Sequence, residues 1–153
     1  MKLLLIDDDV NCLEGLTSAL EPAGYICGAF TNPEEAVENF RQKQYDVVIT
    51  DMKMPGMNGI QVLKETRSLC PNTRVIIVTG FGDVETAIAA VNNGAYAFFG
   101  KPIDIDELMD TLEKIEGEIG EQEKVRRDHA RLALEYARLK RAYEELLKLL
   151  ENR

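Results

Sequence analysis

Acidic, hydroxyl and ammonium groups follow short apolar runs in this sequence, and that placement limits their chemistry. Leu3 to Ile6 runs into Asp7-Asp8-Asp9, and Val47 to Ile49 into Thr50-Asp51. Val75 to Val78 leads to Thr79-Gly80, and Ala97 to Phe99 to Gly100-Lys101-Pro102. If the runs are neighbouring strands, the acidic cluster, Asp51, Thr79 and Lys101 converge on one edge of a sheet. Carboxylates meeting there repel one another, so the cluster needs a cation. An all-oxygen donor set favours magnesium or calcium over zinc. A lysine aimed at the same place neutralises a further anion, and a hydroxyl beside it can hydrogen-bond one. The set suits a carboxylate nucleophile that accepts a phosphoryl group while metal and lysine offset the charge.

The elements needed to position these groups are legible. Continuous apolar runs of this length are expected of strands buried on both faces, as in a parallel sheet covered by helices. Tyr25 to Phe30 and Ala97 to Phe99 are weaker strand candidates. Asn32-Pro33-Glu34-Glu35 reads as a helix start, with an N-cap, a proline in the first turn and a carboxylate at N3. Asp9, Asp83 and Asp104 open other helices, while Pro22-Ala23-Gly24 and Asn93-Gly94 stop them. Five strands and five helices in strict alternation predict an α/β fold, an open doubly wound parallel sheet. Sites in such sheets form beyond the carboxyl ends of the strands.

Composition removes several alternatives. The chain has 153 residues, a formal charge of 18 − 27 = −9, 45% hydrophobic and 29% charged residues. That mix belongs to a soluble globular protein, and the acidic balance argues against a general nucleic-acid coat. Cys12, Cys27 and Cys70 form no C-x-x-C, so a disulfide framework or zinc site is not expected. No apolar stretch approaches the roughly 20 residues of a membrane span. The expectation is a cytoplasmic protein that makes no membrane contact.

Taken in order and spacing, Asp7-Asp8, the segment from Asp51 to Gly59, Thr79-Gly80 and Lys101-Pro102 resemble the receiver domain of bacterial two-component response regulators. The resemblance covers about residues 1–116. It implies a flavodoxin-like sheet of strand order 2-1-3-4-5 and a phosphoacceptor at Asp51. Asp8, Asp51 and the Lys53 backbone carbonyl would hold Mg²⁺, with Asp7 acting through a metal-bound water. Lys101 would pair with the phosphoryl oxygens, its bond to Pro102 would be cis, and Thr79 would be the switch hydroxyl. Phe98 occupies the aromatic switch position, although a half-buried aromatic also packs as ordinary core. Lys53 and Phe81 stand where the resemblance places residues that tune self-hydrolysis. A bulky Phe81 screening water implies a long-lived phosphoryl group. The implied partner is a histidine kinase or phosphotransfer protein, and signalling would use the fourth helix, fifth strand and fifth helix. The chain is not expected to be an enzyme beyond self-phosphorylation from small donors and slow self-dephosphorylation. Alternatives are a stand-alone relay or adaptor receiver and a magnesium-dependent phosphohydrolase; a D-x-D nucleophile loop fails because position 53 is Lys.

Residues 117–153 form a second region, a helical linker or coiled coil. Val125, Leu132, Leu139 and Leu146 fall at d of a heptad; His129, Tyr136, Tyr143 and Leu150 fall at a. A separate stripe (Leu108, Leu112, Ile115 and Ile119) is expected to face the sheet. The registers break at Gly117 and Gly120, read as a hinge or a local distortion. Charge reverses there too. Residues 104–123 hold nine acids and one base, and residues 124–148 hold eight bases and four acids. Glu123–Arg127, Arg131–Glu135, Lys140–Glu144 and Arg141–Glu145 are i,i+4 pairs of a solvated helix. In a parallel dimer Glu135 at g would also face Lys140 at e of the other chain, but orientation and partner number stay open. The expectation is a homodimer through this helix, with a transcriptional or other output domain absent from the chain and DNA contacted only through it.

Overall fold

The computed structural model describes residues 1–80 and 84–153. Phe81, Gly82 and Asp83, on which the expectations about phosphoryl lifetime and the start of the fourth helix fall, lie outside the described residues. The chain forms two compact units, Met1–Met109 and Asp110–Arg153.

The first unit is built on five parallel strands: β1 (Lys2–Ile6), β2 (Ile26–Phe30), β3 (Val47–Asp51), β4 (Arg74–Thr79) and β5 (Ala97–Gly100), in the order β2-β1-β3-β4-β5. Between them run α1 (Val10–Leu20), a short 3-10 turn (Glu21–Ala23), α2 (Pro33–Gln42), α3 (Gly59–Leu69) and α4 (Val84–Asn92). A fifth helix, α5 (Ile105–Glu151), begins in this unit.

Strand order follows from burial. Successive side chains of a strand point to opposite faces. Only the central strands are buried at four or more consecutive positions, so both their faces are covered. Leu3, Leu4, Leu5, Val47, Val48, Ile76 and Ile77 are completely buried. Leu4, Ile6, Val48, Val75 and Ile77 share one core with Ala36 and Phe40 of α2, Val62 and Leu63 of α3, and Ala90 of α4. Each such aliphatic side chain contributes about 1.5–3 kcal/mol on burial. β2 and β5 are the edges and are mostly only partly buried.

Capping sets where the helices begin. Asp9 Oδ1 accepts from Asn11 N–H at 2.9 Å, Asn32 Oδ1 from Glu34 and Glu35 N–H, and Asp104 Oδ1 from Asp106 and Glu107 N–H. A further start, a full capping box, lies at α3. There the Asn58 side chain accepts from Gln61 N–H at 2.9 Å and the Gln61 side chain accepts from Asn58 N–H at 2.8 Å.

Gly28 in β2 has a specific reason. A Cβ there would lie 2.6 Å from the Tyr45 hydroxyl. Tyr45 stacks on Phe40 and donates to Asn39 Oδ1. Burial pushes the Tyr45 phenol above its usual pKa. The folded state therefore holds that proton more tightly than the unfolded chain. The resulting stability is fully present below pH ~10 and is lost as pH climbs past the raised value. Tyr45→Phe is expected to cost about 1 kcal/mol at neutral pH through the lost hydrogen bond. It should also flatten the alkaline decline, as read by urea unfolding at pH 7 and above pH 10.

In the second unit the helical backbone passes Gly117 and Gly120 without interruption to Glu151. Neither glycine is crowded, since a Cβ at either would meet nothing within 4 Å. Leu112 and Ile115 are fully buried, Ile119 is half-buried, and every residue from Gly120 to Arg153 is exposed. Arg131 Nη2 lies 3.6 Å from Asp128 Oδ1 one turn before it. Among the described residues no helix is long and apolar enough to cross a membrane.

Candidate phosphoacceptor and cation site

Four strand ends assemble the site. Asp7 and Asp8 follow β1, Asp51 ends β3, Thr79 ends β4, and Lys101 follows β5. Parallel pairing holds these ends level: Asp51 is in register with Val78, and Thr79 with Gly100. Lys101 N–H donates to the Thr79 carbonyl at 2.8 Å, which ties the lysine to the hydroxyl-bearing residue of the next strand. The Lys101–Pro102 bond is cis.

Lys101 lies between two buried carboxylates. Its Nζ is 2.8 Å from Asp7 Oδ2 and 3.3 Å from Asp51 Oδ2. The second oxygen of each acid is held by local backbone. Asp9 N–H donates to Asp7 Oδ1 and Met52 N–H to Asp51 Oδ1, each at 2.9 Å. Asp7, Asp51 and Thr79 are buried, at 4%, 8% and 1% exposure, while Asp8 faces solvent. One carboxylate oxygen from each of Asp7, Asp8 and Asp51 lies within 4.8 Å of the others.

The electrostatics follow. Burial pushes the Asp51 carboxyl above its usual pKa, and the neighbouring Asp7 charge adds to that, against the opposing pull of Lys101. Burial works against the Lys101 ammonium, but the Asp7 hydrogen bond and the Asp51 and Asp7 charges outweigh it, so its pKa is also raised. Excess negative charge in a partly dry place, offered by oxygen atoms alone, fits a hard divalent cation such as Mg²⁺.

Gly59 lets α3 reach this strand end. Its N–H donates to the Met52 carbonyl at 2.9 Å, and a Cβ would stand 2.8 Å from the Asp51 carbonyl oxygen. A larger residue would push the helix start away from the acidic cluster. Sequence reasoning missed this role of Gly59 and the Asn58–Gln61 box; the N-x-x-Q spacing was the available signal for the box.

Lys53 is exposed in the loop after β3. Phe98 is half-buried in β5 and packs against the core shared with α2, α3 and α4. The positions from Val125 to Leu150 assigned to a and d are all exposed and belong to the second unit.

The sequence and the fold of this chain are similar to those of known proteins. The profile of the response regulator receiver domain matches residues 3–113. The chain is 38% identical over 112 residues to the transcriptional regulatory protein ZraR of Salmonella typhimurium, covering 73% of this chain and 25% of that protein. It is 32% identical over 142 residues to the C4-dicarboxylate transport transcriptional regulatory protein DctD of Rhizobium meliloti, covering 93% and 28%. The chain thus spans about a quarter of the length of these relatives. Among solved structures, a receiver domain protein from Clostridium thermocellum superposes with a TM-score of 0.71 at 34% identity, covering 74% of this chain and 92% of that one. The beryllofluoride-activated NtrC4 receiver domain dimer gives 0.71 at 28% identity, covering 74% and 94%.

Proposed function

This chain belongs to the response regulator receiver family, and on that premise we propose that it is a phosphorylation switch whose phosphoacceptor is Asp51. The observation that carries the proposal is the pairing of one lysine with two buried carboxylates at the strand ends, with a third carboxylate beside them.

In the proposed reaction an Asp51 carboxylate oxygen attacks the phosphorus of a phosphohistidine on a partner kinase or phosphotransfer protein. The new O–P bond makes an acyl phosphate as the P–N bond breaks, and the imidazole leaves with a proton from solvent. Asp8, Asp51 and the Lys53 carbonyl are the proposed ligands of Mg²⁺, with Asp7 acting through a bound water. The ion, when bound, supplies charge that offsets the phosphoryl oxygens. Lys101 turns from the carboxylate pair toward those oxygens and keeps the charge balanced. The Thr79 hydroxyl donates to the phosphoryl group, and Phe98 in the neighbouring strand β5 follows it. The altered surface is that of α4, β5 and α5.

Residues 1–116 form the receiver and residues 117–153 a helical segment through which two copies associate. Cytoplasmic location and a transcriptional output, carried by a domain beyond this chain, complete the proposal. The sequence relatives support that output, since ZraR and DctD are transcriptional regulators.

A small acyl-phosphate donor tests it. With Mg²⁺ the chain should take up one phosphoryl group, labile to hydroxylamine, and chelator should reduce uptake by about a hundredfold or more. A chain that takes up none with Mg²⁺ present contradicts the proposal.

A further inference from the structure

Basic side chains dominate the side of the tail helix opposite its apolar positions. Between Lys124 and Arg141 the c and f positions of the heptad are Lys124, Arg127, Arg131, Leu134, Arg138 and Arg141. Five of these six are basic, four of the five are arginine, and none is acidic. At 100° per residue they fall within about 100° of arc, in a row about 26 Å long. The helix is unbroken over this stretch and every residue in it is exposed. Local charge runs against the acidic total: residues 124–141 hold seven bases and two acids, 7 − 2 = +5.

The helix itself does little to neutralise the row. Ala130 and Ala137 border it on one side, and the two acids, Asp128 and Glu135, on the other. Among the described residues, the one ion pair made by the row is Arg131 with Asp128, at 3.6 Å and open to solvent. We propose that residues 124–141 are a docking surface for the phosphate backbone of duplex DNA. The sequence expectation confined DNA contact to an output domain; this surface is a second contact, carried by the chain itself.

Charge complementarity and side-chain type select this partner. Duplex DNA carries one negative charge per ~1.7 Å of its axis, so a straight row of cations meets several phosphates. The guanidinium fork matches phosphate oxygens with two parallel hydrogen bonds, which lysine cannot make. An anionic bilayer fits less well, because a helix lying on it inserts its apolar face. Inserting Val125, Leu132 and Leu139 would turn the row away from the lipid. Association of two tails through the apolar positions leaves the row outward, so the surface does not depend on that pairing. The acids of residues 104–123 do not cancel it. Arg131, Arg138 and Arg141 stand about 12 Å or more along the axis from Glu123, beyond a Debye length at physiological salt.

Fluorescence anisotropy of a short labelled duplex, titrated with the full chain, tests the proposal. A fourfold rise in monovalent salt should weaken binding about forty- to five-hundredfold, as three to five phosphate contacts require. Duplexes of unrelated sequence should bind equally, since phosphate contacts carry no sequence information. Arg131→Gln combined with Arg138→Gln retains good helix formers and should lower affinity about tenfold or more, with the salt slope smaller by about two. Lys43→Gln combined with Lys64→Gln makes the same change in net charge at exposed positions outside the tail and should leave both quantities unchanged. Circular dichroism checks that helicity is retained in each variant. Absence of binding at the lowest salt, undiminished affinity in the Arg131 and Arg138 variant, or an equal loss in the Lys43 and Lys64 variant overturns the proposal. So does tighter binding to anionic phospholipid vesicles or to polyglutamate than to the duplex, which would assign the row to a membrane or to an acidic protein.

Discussion

Asp51→Asn is expected to lower acyl-phosphate formation from a small donor by about a thousandfold or more, the effect of deleting a nucleophile. The substitution keeps the shape of the side chain. The amide oxygen can still accept from Met52 N–H, which now bonds Asp51 Oδ1 at 2.9 Å. What is lost is the negatively charged oxygen able to form the O–P bond. Because Asp51 is also a proposed cation ligand, a second variant separates the two roles. Asp8→Asn removes a solvent-facing carboxylate of the same cluster and leaves the acceptor in place. Its uptake should be slow at low Mg²⁺ and recover as Mg²⁺ is raised, whereas Asp51→Asn should not recover. Hydroxylamine-labile label retained at the parent level in Asp51→Asn would place the chemistry elsewhere.

Lys101→Met is expected to produce the largest change in stability. The ammonium lies within 3.3 Å of both Asp7 and Asp51, and those carboxylates are almost wholly buried. Methionine keeps much of the aliphatic stem and removes only the charge. Breaking a buried pair costs roughly 3–5 kcal/mol; Lys101 is itself a quarter exposed, so about 2–3 kcal/mol is expected in chelator at neutral pH. The pH dependence has a definite sign. Lys101 opposes the upward push that burial and Asp7 exert on the Asp51 carboxyl. Without it the folded state binds protons more tightly, so acidification should regain stability. Saturating Mg²⁺ should recover most of the loss, because it replaces the missing positive charge. Denaturant unfolding with and without Mg²⁺, from neutral to mildly acidic pH, reads all three effects. A variant as stable as the parent in chelator would show that the lysine offsets no charge.

Much of the fold was legible because its causes are local. β1, β3 and β4 announce themselves as apolar runs without alternation, which only strands covered on both faces require. Asp9, Asn32 and Asp104 were readable as caps because a cap bonds backbone two or three residues ahead. The site was readable for a related reason. A parallel sheet places the ends of its strands together, so residues following separate runs could be assigned to one edge.

What was illegible depends on approach from elsewhere in the chain. Gly28 is small because Tyr45 comes over β2, and Gly59 because α3 closes on the Asp51 carbonyl. Neither neighbour is visible in the flanking residues. Gly117 and Gly120 left two readings open, a hinge or a local distortion. Two glycines at a phase break invite a hinge, yet each costs a helix only about 1 kcal/mol relative to alanine. The backbone continues through both within a 47-residue helix. The pairing of Lys101 with Asp7 was also unforeseen, since the resemblance assigns that lysine to a phosphoryl group.

The most direct measurement is the position of the phosphoryl group itself. The full chain is phosphorylated with a small acyl-phosphate donor and Mg²⁺, then reduced with borohydride, which converts an aspartyl phosphate to homoserine. Peptide mass mapping should find homoserine at position 51 and at no other acidic position. Homoserine at position 7 or 8, or a phosphate that survives reduction on Thr79 or another hydroxyl, would contradict the account.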